Sequence, residues 1–529
     1  MEDSVASGPF ERSIWVRFVV AWAFLCAVCT LWAIATPISA APDEPAHLVK
    51  AASVVRGQFV GETTGFGEIV QVPNSIARSH ARTCFAFHPE RPADCEFEPG
   101  DPDELVDART TAGLYNPLYY LLVGWPSLIL GDDAGIYAMR FASALLTSGL
   151  LALSFMVVGS WPRRVIPMLG LLGAVTPMVL FLGGVVNPSG PEVAGTLAVV
   201  VGIVSISTGR NVEQLRAHCI VIAVGAVVAL NMRGISPMWL AVGILLPLVL
   251  LGWTRMRSLL ATTPVRVAAI VTAVAAAAAV AWTVGSNSLG TGMADDKADA
   301  IFPGVGTHPF AGFVEMVLRT FDFARGVVGE FGWNDTSAPA FSYFLWSALV
   351  GGLVAFGLAA LRGRRLLVLV GFVGAGVLLP ALVQAVYVAE GGYIWQGRYT
   401  MPAFAALVIV AAALLDDAVG ERFEAWSARR LFAIVAAAWA FAQLDAFIHV
   451  LRRYAAGWPS HWSELVRAPA WAPPGGTLAS PLIFAATVAA LALWIWWNTR
   501  PATDQHRGSA PPTAAGPTEE AGSSHHASR

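Results

Sequence analysis

Charge is scarce in this chain. Only 13% of its 529 residues are Asp, Glu, Lys or Arg, against 56% apolar, and the 33 Lys+Arg residues are mostly Arg dispersed at the ends of apolar runs. Without a basic patch or stripe, nucleic-acid binding has no footprint. A secretory signal is also missing. Residues 1–38 hold an apolar core longer than the ~7–15 residues of a signal peptide, and Glu2, Asp3 and Glu11 spoil its basic start. They are expected to be a retained first span. Cysteine is limited to five: Cys26 and Cys29 in that span, Cys219 at the start of another, and Cys84 and Cys95 in one polar loop. If that loop is extracytoplasmic, Cys84 and Cys95 read as a disulfide. The spacing His80, Cys84, His88, Cys95 keeps a zinc site open as the lesser alternative.

What the chain does have is a succession of apolar runs near the ~20 residues a bilayer needs. They fall at about 14–38, 136–159, 164–186, 191–209, 218–232, 235–253, 266–288, 341–361, 366–389, 399–416, 431–451 and 480–498. The expected fold class is an all-α polytopic membrane protein with about twelve (11–13) transmembrane helices. Orientation follows the arginines. Arg12 and Arg17, Arg163 and Arg164, Arg210 and Arg216, Arg255, Arg257 and Arg266, Arg362, Arg364 and Arg365, Arg422, Arg429 and Arg430, and Arg500 occupy alternate links, which makes that side cytoplasmic. Arg452, Arg453 and Arg467 fall on the other side and weaken the parity slightly. The expected organisation is a cytoplasmic N-terminus (1–13), a membrane domain (14–498) with outer loops at 39–135 and 289–340, and a Pro-, Ala-, Gly- and Ser-rich tail (499–529) expected to be disordered.

Residues 116–130 resist this scheme: they are apolar but only about fifteen long, and read as an interfacial or re-entrant helix. Between 39 and 115, twelve acidic and six basic residues with abundant Pro and Gly predict a solvated cap of short helices. From Phe310 to Arg325, apolar Phe313, Val314, Val317, Leu318 and Phe321 alternate at helical period with Glu315, Arg319, Asp322 and Arg325, which predicts one helix lying in the interface.

Four polar clusters lie at the outer ends of apolar segments. They are Pro42-Asp43-Glu44-Pro45-Ala46-His47, Asn187-Pro188-Ser189-Gly190-Pro191-Glu192, Gly329 to Asp335 with Trp333 and Asn334, and Gln396-Gly397-Arg398-Tyr399 followed by Pro402. Singly, each reads as well as a cap, turn or solvated end, and Asp43 could be an N-cap. Together they could converge on one cavity at the headgroup level.

In order and wording these clusters resemble a bacterial family of predicted membrane proteins known as domain of unknown function 2142. There a P-D-E-x-x-H-like, an N-P-S-G-like, a G-W-x-D-like and a late Q-G-R-Y-x-x-P motif recur. The resemblance covers about residues 14–450, and its most specific piece is Gln396-Gly397-Arg398-Tyr399 with Pro402. The chain departs at Asn334, where an apolar residue is expected, but keeps Asp335. That family in turn resembles the C-type glycosyltransferases, multispanning enzymes that use a polyprenyl-phosphate sugar and carry an essential carboxylate at the start of the first outer loop. The resemblance places that carboxylate at Asp43-Glu44 and rests on architecture and one acidic motif.

Moving a sugar from a lipid phosphate to a hydroxyl requires a base, since an alcohol is a weak nucleophile, and cations that stabilise the departing phosphate. Asp43 is the expected catalytic base with Glu44 the alternate. Adjacent helical side chains point about 100° apart, so one of the two faces the cavity. His47, a turn later, could orient the carboxylate, bind substrate or simply hydrogen-bond. Arg398 is the expected phosphate ligand, because its planar donors match phosphate oxygens. Arg233 and Arg140 are weaker candidates for the same anion. Gln396, Asn187 and Asp335 complete the expected substrate-binding set, with Trp333 and Tyr399, which would stack on a sugar or sit as interfacial aromatics. Asp43 and Asp335 could hold a divalent metal ion, though no spacing demands one.

The expected activity is therefore sugar transfer from a polyprenyl-phosphate donor to a cell-envelope glycan or lipid, on the outer face of a bacterial plasma membrane. A transporter or flippase of lipid-linked precursors is the rival, and a non-catalytic assembly subunit the third reading. Transport normally places polar groups midway along spans, and here Asp445, His449 and Gln384 lie near span ends.

Overall fold

The computed structural model describes residues 9–64, 67–96, 100–210, 212–290, 303–419 and 425–499. Most of the expected N-terminal segment and tail, and residues 291–302 of the second loop, lie outside the described residues. The chain is mostly helical. Among the described residues nine helices are long and apolar enough to cross a membrane, and eleven spans result if each of two bent pairs counts as one.

All twelve expected segments fall on helices, and three depart from a single long rod. Val165–Ala174 and Pro177–Gly183 meet at 61°, and Ser236–Leu248 and Trp253–Leu260 at 118°. The first break follows from Pro177, which supplies no N–H and enters as the first residue of a new helix, while the Thr176 hydroxyl accepts from Val179 N. Leu215–Leu230 is sixteen residues long and falls short of the length needed.

Burial sorts the spans. Within Ser189–Thr208 94% of an eighteen-residue apolar stretch is buried, at the centre of the bundle, whereas in Ala340–Ala360 and Thr263–Gly285 the shares are 11% and 17% and apolar side chains face outward. In water such faces would aggregate; in hydrocarbon they are the solvated surface.

Two local expectations are corrected. The region 39–115 is not built of short helices alone: β1 (Glu62–Thr63), β2 (Glu68–Pro73) and β3 (Leu105–Thr110) form an antiparallel sheet in that order, with Val70 opposite Ala108 and Val72 opposite Val106. Glu68, Val70 and Val72 alternate inward at the period of two that strands impose, covering the helix Glu44–Val54, every residue of which is buried. The expected helix from Phe310 to Arg325 is two, Pro309–Leu318 and Thr320–Gly329, broken at Arg319. In the 116–130 stretch the helix is only eight residues, Pro117–Gly124, followed by a 3₁₀ turn at Trp125–Leu128.

The opposite end of the bundle collects charge of its own. Arg210 bonds Asp417 at 2.5 Å and lies 3.2 Å from Asp416, with Arg163 also bridging to that pair of carboxylates.

Candidate functional site

The four polar clusters, spread over more than 350 residues, are tied together at one end of the bundle. Asp43 and Arg398 form an ion pair, Oδ2 to Nη2 at 2.5 Å. The Asn187 amide donates to the Pro42 carbonyl at 2.9 Å and accepts from Ser189 N at 2.9 Å, so it joins the first cluster to the start of the central helix. Trp333 Nε1 donates to the Ser39 carbonyl, and the Asn334 amide donates to Gln396 Oε1, both at 3.1 Å. Asn334 also explains the departure noted in the sequence. It sits at φ 59° in the turn between Glu330–Phe331 and Thr336–Ser337, a left-handed backbone that asparagine tolerates better than an apolar residue.

Each partner of the ion pair is positioned by its backbone. Asp43 precedes the helix Glu44–Val54 in the left-handed region, φ 58° and ψ 10°, and its carboxylate makes no cap to its own helix. Its side chain is 43% exposed. Arg398 lies in a 3₁₀ turn, Gly397–Thr400, and is 3% exposed. The turn is wedged against the helix Thr320–Gly329: a Cβ on Gly397 would fall 2.1 Å from the Phe323 carbonyl oxygen, so only glycine permits this approach. Arg398 Nη1 is buried with no hydrogen-bond partner.

Glu44, one residue on, has the opposite character. Its side chain is fully buried and paired with Arg140 through two bonds, Nε to Oε1 at 2.7 Å and Nη2 to Oε2 at 2.6 Å. Ser39 N and Val186 N donate to the same carboxylate. The other N–H groups of Arg140 go to the Ala33, Thr36 and Pro37 carbonyls, capping the end of the first helix where cations are favoured. No donor on Arg140 and no lone pair of consequence on Glu44 remains for a ligand.

Around the open ion pair lies an aromatic and cationic shell. Arg233 stacks on the Tyr399 ring with Cζ 3.9 Å from its centroid, and Arg398 approaches the same ring at 5.2 Å. Arg233 Nη1 also contacts Ser189 Oγ at 3.3 Å. His47 shares a hydrogen bond between Nδ1 and the Tyr120 hydroxyl, 2.9 Å, and its ring packs between Tyr115 and Tyr120. Burial pushes its pKa down to about 3; the Asp43 charge opposes this, and the Arg233 and Arg398 charges reinforce it. The imidazole is therefore neutral at physiological pH, a hydrogen-bonding spacer rather than a cation. The Tyr115 phenol is raised from its ordinary range, first by burial.

Sequence reasoning missed Tyr115, Tyr120 and Glu192 as members of this shell. Glu192 is fully buried, accepts from the Ser236 hydroxyl at 2.6 Å, and leaves Oε2 without a partner. Its signal was available: a carboxylate at the start of an otherwise apolar helix. The tyrosines carried none beyond their clustering at 115, 119 and 120.

Asp335 is engaged by partners of its own. Its Oδ2 accepts from Phe87 N at 3.0 Å and from Arg453 at 3.2 Å, and its Oδ1 from the Thr336 hydroxyl. Arg453 donates further to the Phe85, His88 and Arg91 carbonyls, and so pins the loop that the Cys84–Cys95 disulfide closes. With these partners Asp335 has little left to give a metal. Among the described residues no group of three or more His, Cys, Asp or Glu side chains is arranged to hold one.

Beside the Arg398 turn, between the helices Thr320–Gly329, Gly363–Gly391 and Met401–Val419, runs an apolar groove of about 160 Å³. Phe323, Val327, Phe372, Pro380 and Phe404 line it, and Trp395 and Thr400, joined by a 3.2 Å hydrogen bond, form the edge shared with the turn.

Helices of this length and composition, with a charged cluster at one end, define a multispanning membrane protein. The chain belongs to the predicted membrane protein family DUF2142, whose match runs from residue 26 to residue 408 and contains every cluster just described. No curated protein matches it.

Proposed function

We propose that the protein is a membrane glycosyltransferase of C-type architecture, which moves a sugar from a polyprenyl-phosphate donor to a cell-envelope glycan or lipid. The observation that carries this reading is the meeting of a half-exposed carboxylate, Asp43, with a buried guanidinium, Arg398, in a turn whose Thr400 also lines an apolar groove. A charged site and an apolar groove that share one turn suit an amphiphile whose phosphate is bound and whose chain stays in hydrocarbon. Arg398 would hold the phosphate, with Arg233 adding positive charge across the Tyr399 ring. Asp43 would take the proton of the acceptor hydroxyl as that oxygen attacks the anomeric carbon, and the phosphate would leave with the bonding electron pair. Glu44 and Arg140 build the site floor. In the topology that accompanies this reading the short apolar helix Leu215–Leu230 counts as a twelfth span, both termini are cytoplasmic, and the Asp43 end faces outward across a bacterial plasma membrane.

Purified protein in detergent, supplied with a polyprenyl-phosphate sugar and a mixture of envelope acceptors, should release polyprenyl phosphate. A transporter needs two compartments and would leave the donor intact there. An undiminished donor pool with folded protein would remove the enzyme reading.

A further inference from the structure

Arg398 already holds an anion from its own chain, Asp43. Asp43 contacts Arg398 through one oxygen and one nitrogen, whereas Glu44 grips Arg140 through two of each. The partners differ in freedom. Arg398 is 3% exposed and fixed by the Gly397 contact with the Phe323–Gly326 segment, while the Asp43 side chain is 43% exposed. Arg398 Nη1 is buried and unpartnered, a donor left over by the single-point contact. An unused buried donor on a cation carries a desolvation cost that a better-matched anion would remove. A phosphate oxygen pair can engage both Nη groups of a guanidinium, which a carboxylate held end-on does not.

We propose that the Asp43–Arg398 ion pair is a closed gate that the donor's phosphate opens: the phosphate takes Arg398, and the Asp43 carboxylate, displaced, turns toward the acceptor. This rests on the reading that Arg398 binds the donor phosphate. Head-group binding and release of the base then become one event. The carboxylate oxygen held by Arg398 is blocked as a base, so both oxygens face the acceptor only when a donor is present. Arg233 does not compete for the displaced carboxylate on equal terms, because it is already stacked on Tyr399 and placed near Glu192.

The consequence is opposite to that of an ordinary binding residue. Removing Asp43 should strengthen phosphate binding. The test uses the full chain in nanodiscs, a polyprenyl phosphate, and the matching polyprenol as a probe without the charge. Asp43→Asn keeps a residue that tolerates the left-handed backbone, so the fold should persist, which a melting curve checks. Wild type should bind the phosphate more tightly than the alcohol, and Arg398→Ala should lose that difference. Asp43→Asn should bind the phosphate about tenfold more tightly than wild type, the order of one charge-assisted hydrogen bond, with binding of the alcohol unchanged. Unchanged or weaker phosphate binding in folded Asp43→Asn would overturn the gate while leaving the phosphate site standing. Equal binding of phosphate and alcohol by wild type would overturn the phosphate site itself, and the gate with it.

Discussion

Asp43 and Glu44 are neighbours in sequence, each meets an arginine from far along the chain, and the two pairs are built differently. Glu44–Arg140 is fully buried, doubly bonded and surrounded by backbone donors and carbonyls that use every remaining group. Asp43–Arg398 is singly bonded, half exposed on one side and leaves a guanidinium nitrogen unused. The contrast separates a charge pair that builds from one that can exchange partners. Satisfaction, rather than burial or charge alone, distinguishes them: a saturated pair has nothing to offer a ligand, and an unsaturated one is poised to take one.

The largest effect should come from breaking the saturated pair. Glu44→Ala or Arg140→Ala leaves an uncompensated buried charge, expected to cost ~3–5 kcal/mol, and loss of folded protein on size-exclusion chromatography in detergent would register it. If either variant folded as well as wild type, the assigned division between building and working pairs would be wrong. Arg398→Ala should lower the melting temperature less than breaking the saturated pair does, since the carboxylate it frees is half exposed and can hydrate, yet lower sugar transfer by roughly 10²–10³-fold through loss of phosphate stabilisation. Arg398→Lys keeps the charge without the planar fork, and about a tenfold loss of donor affinity is expected.

A further expectation concerns acid stability. His47 is held near pKa 3 against an ordinary value of 6.5. Below pH 6.5 the unfolded chain therefore binds a proton that the folded one refuses, and stability should fall as pH drops from about 6.5 towards 3. His47→Gln should flatten that limb of the melting-temperature profile, and an unchanged slope would argue against a buried neutral imidazole at this position.

Hydrophobic length made the helices legible in advance, because a span must satisfy its backbone internally and needs a run of apolar residues to do so. The bend at Pro177 has a local cause, the proline and its Thr176 cap; the bend after Leu248 and the small sheet over Glu44–Val54 depend on tertiary cover that no local pattern announces. At the site, the motif residues could be collected from sequence, but their ranking could not. Adjacency gives Asp43 and Glu44 equal standing until the partner at 140, 96 residues beyond Glu44, is seen to claim the second. Arg140 itself looked like an anion ligand at a helix end, and only its carbonyl partners show that it closes the first helix. Arg453 counted against the topology by its charge, yet it holds the disulfide loop in place.

The proposal that Asp43 is the working carboxylate and Glu44 the structural one is open to direct measurement. Its most direct test measures melting temperature and sugar transfer from a polyprenyl-phosphate donor on one preparation of Asp43→Asn. The prediction is a melting temperature within a few degrees of wild type, about what a half-exposed pair contributes, with transfer reduced by at least ~10²-fold. Wild-type transfer by a stably folded Asp43→Asn would contradict it.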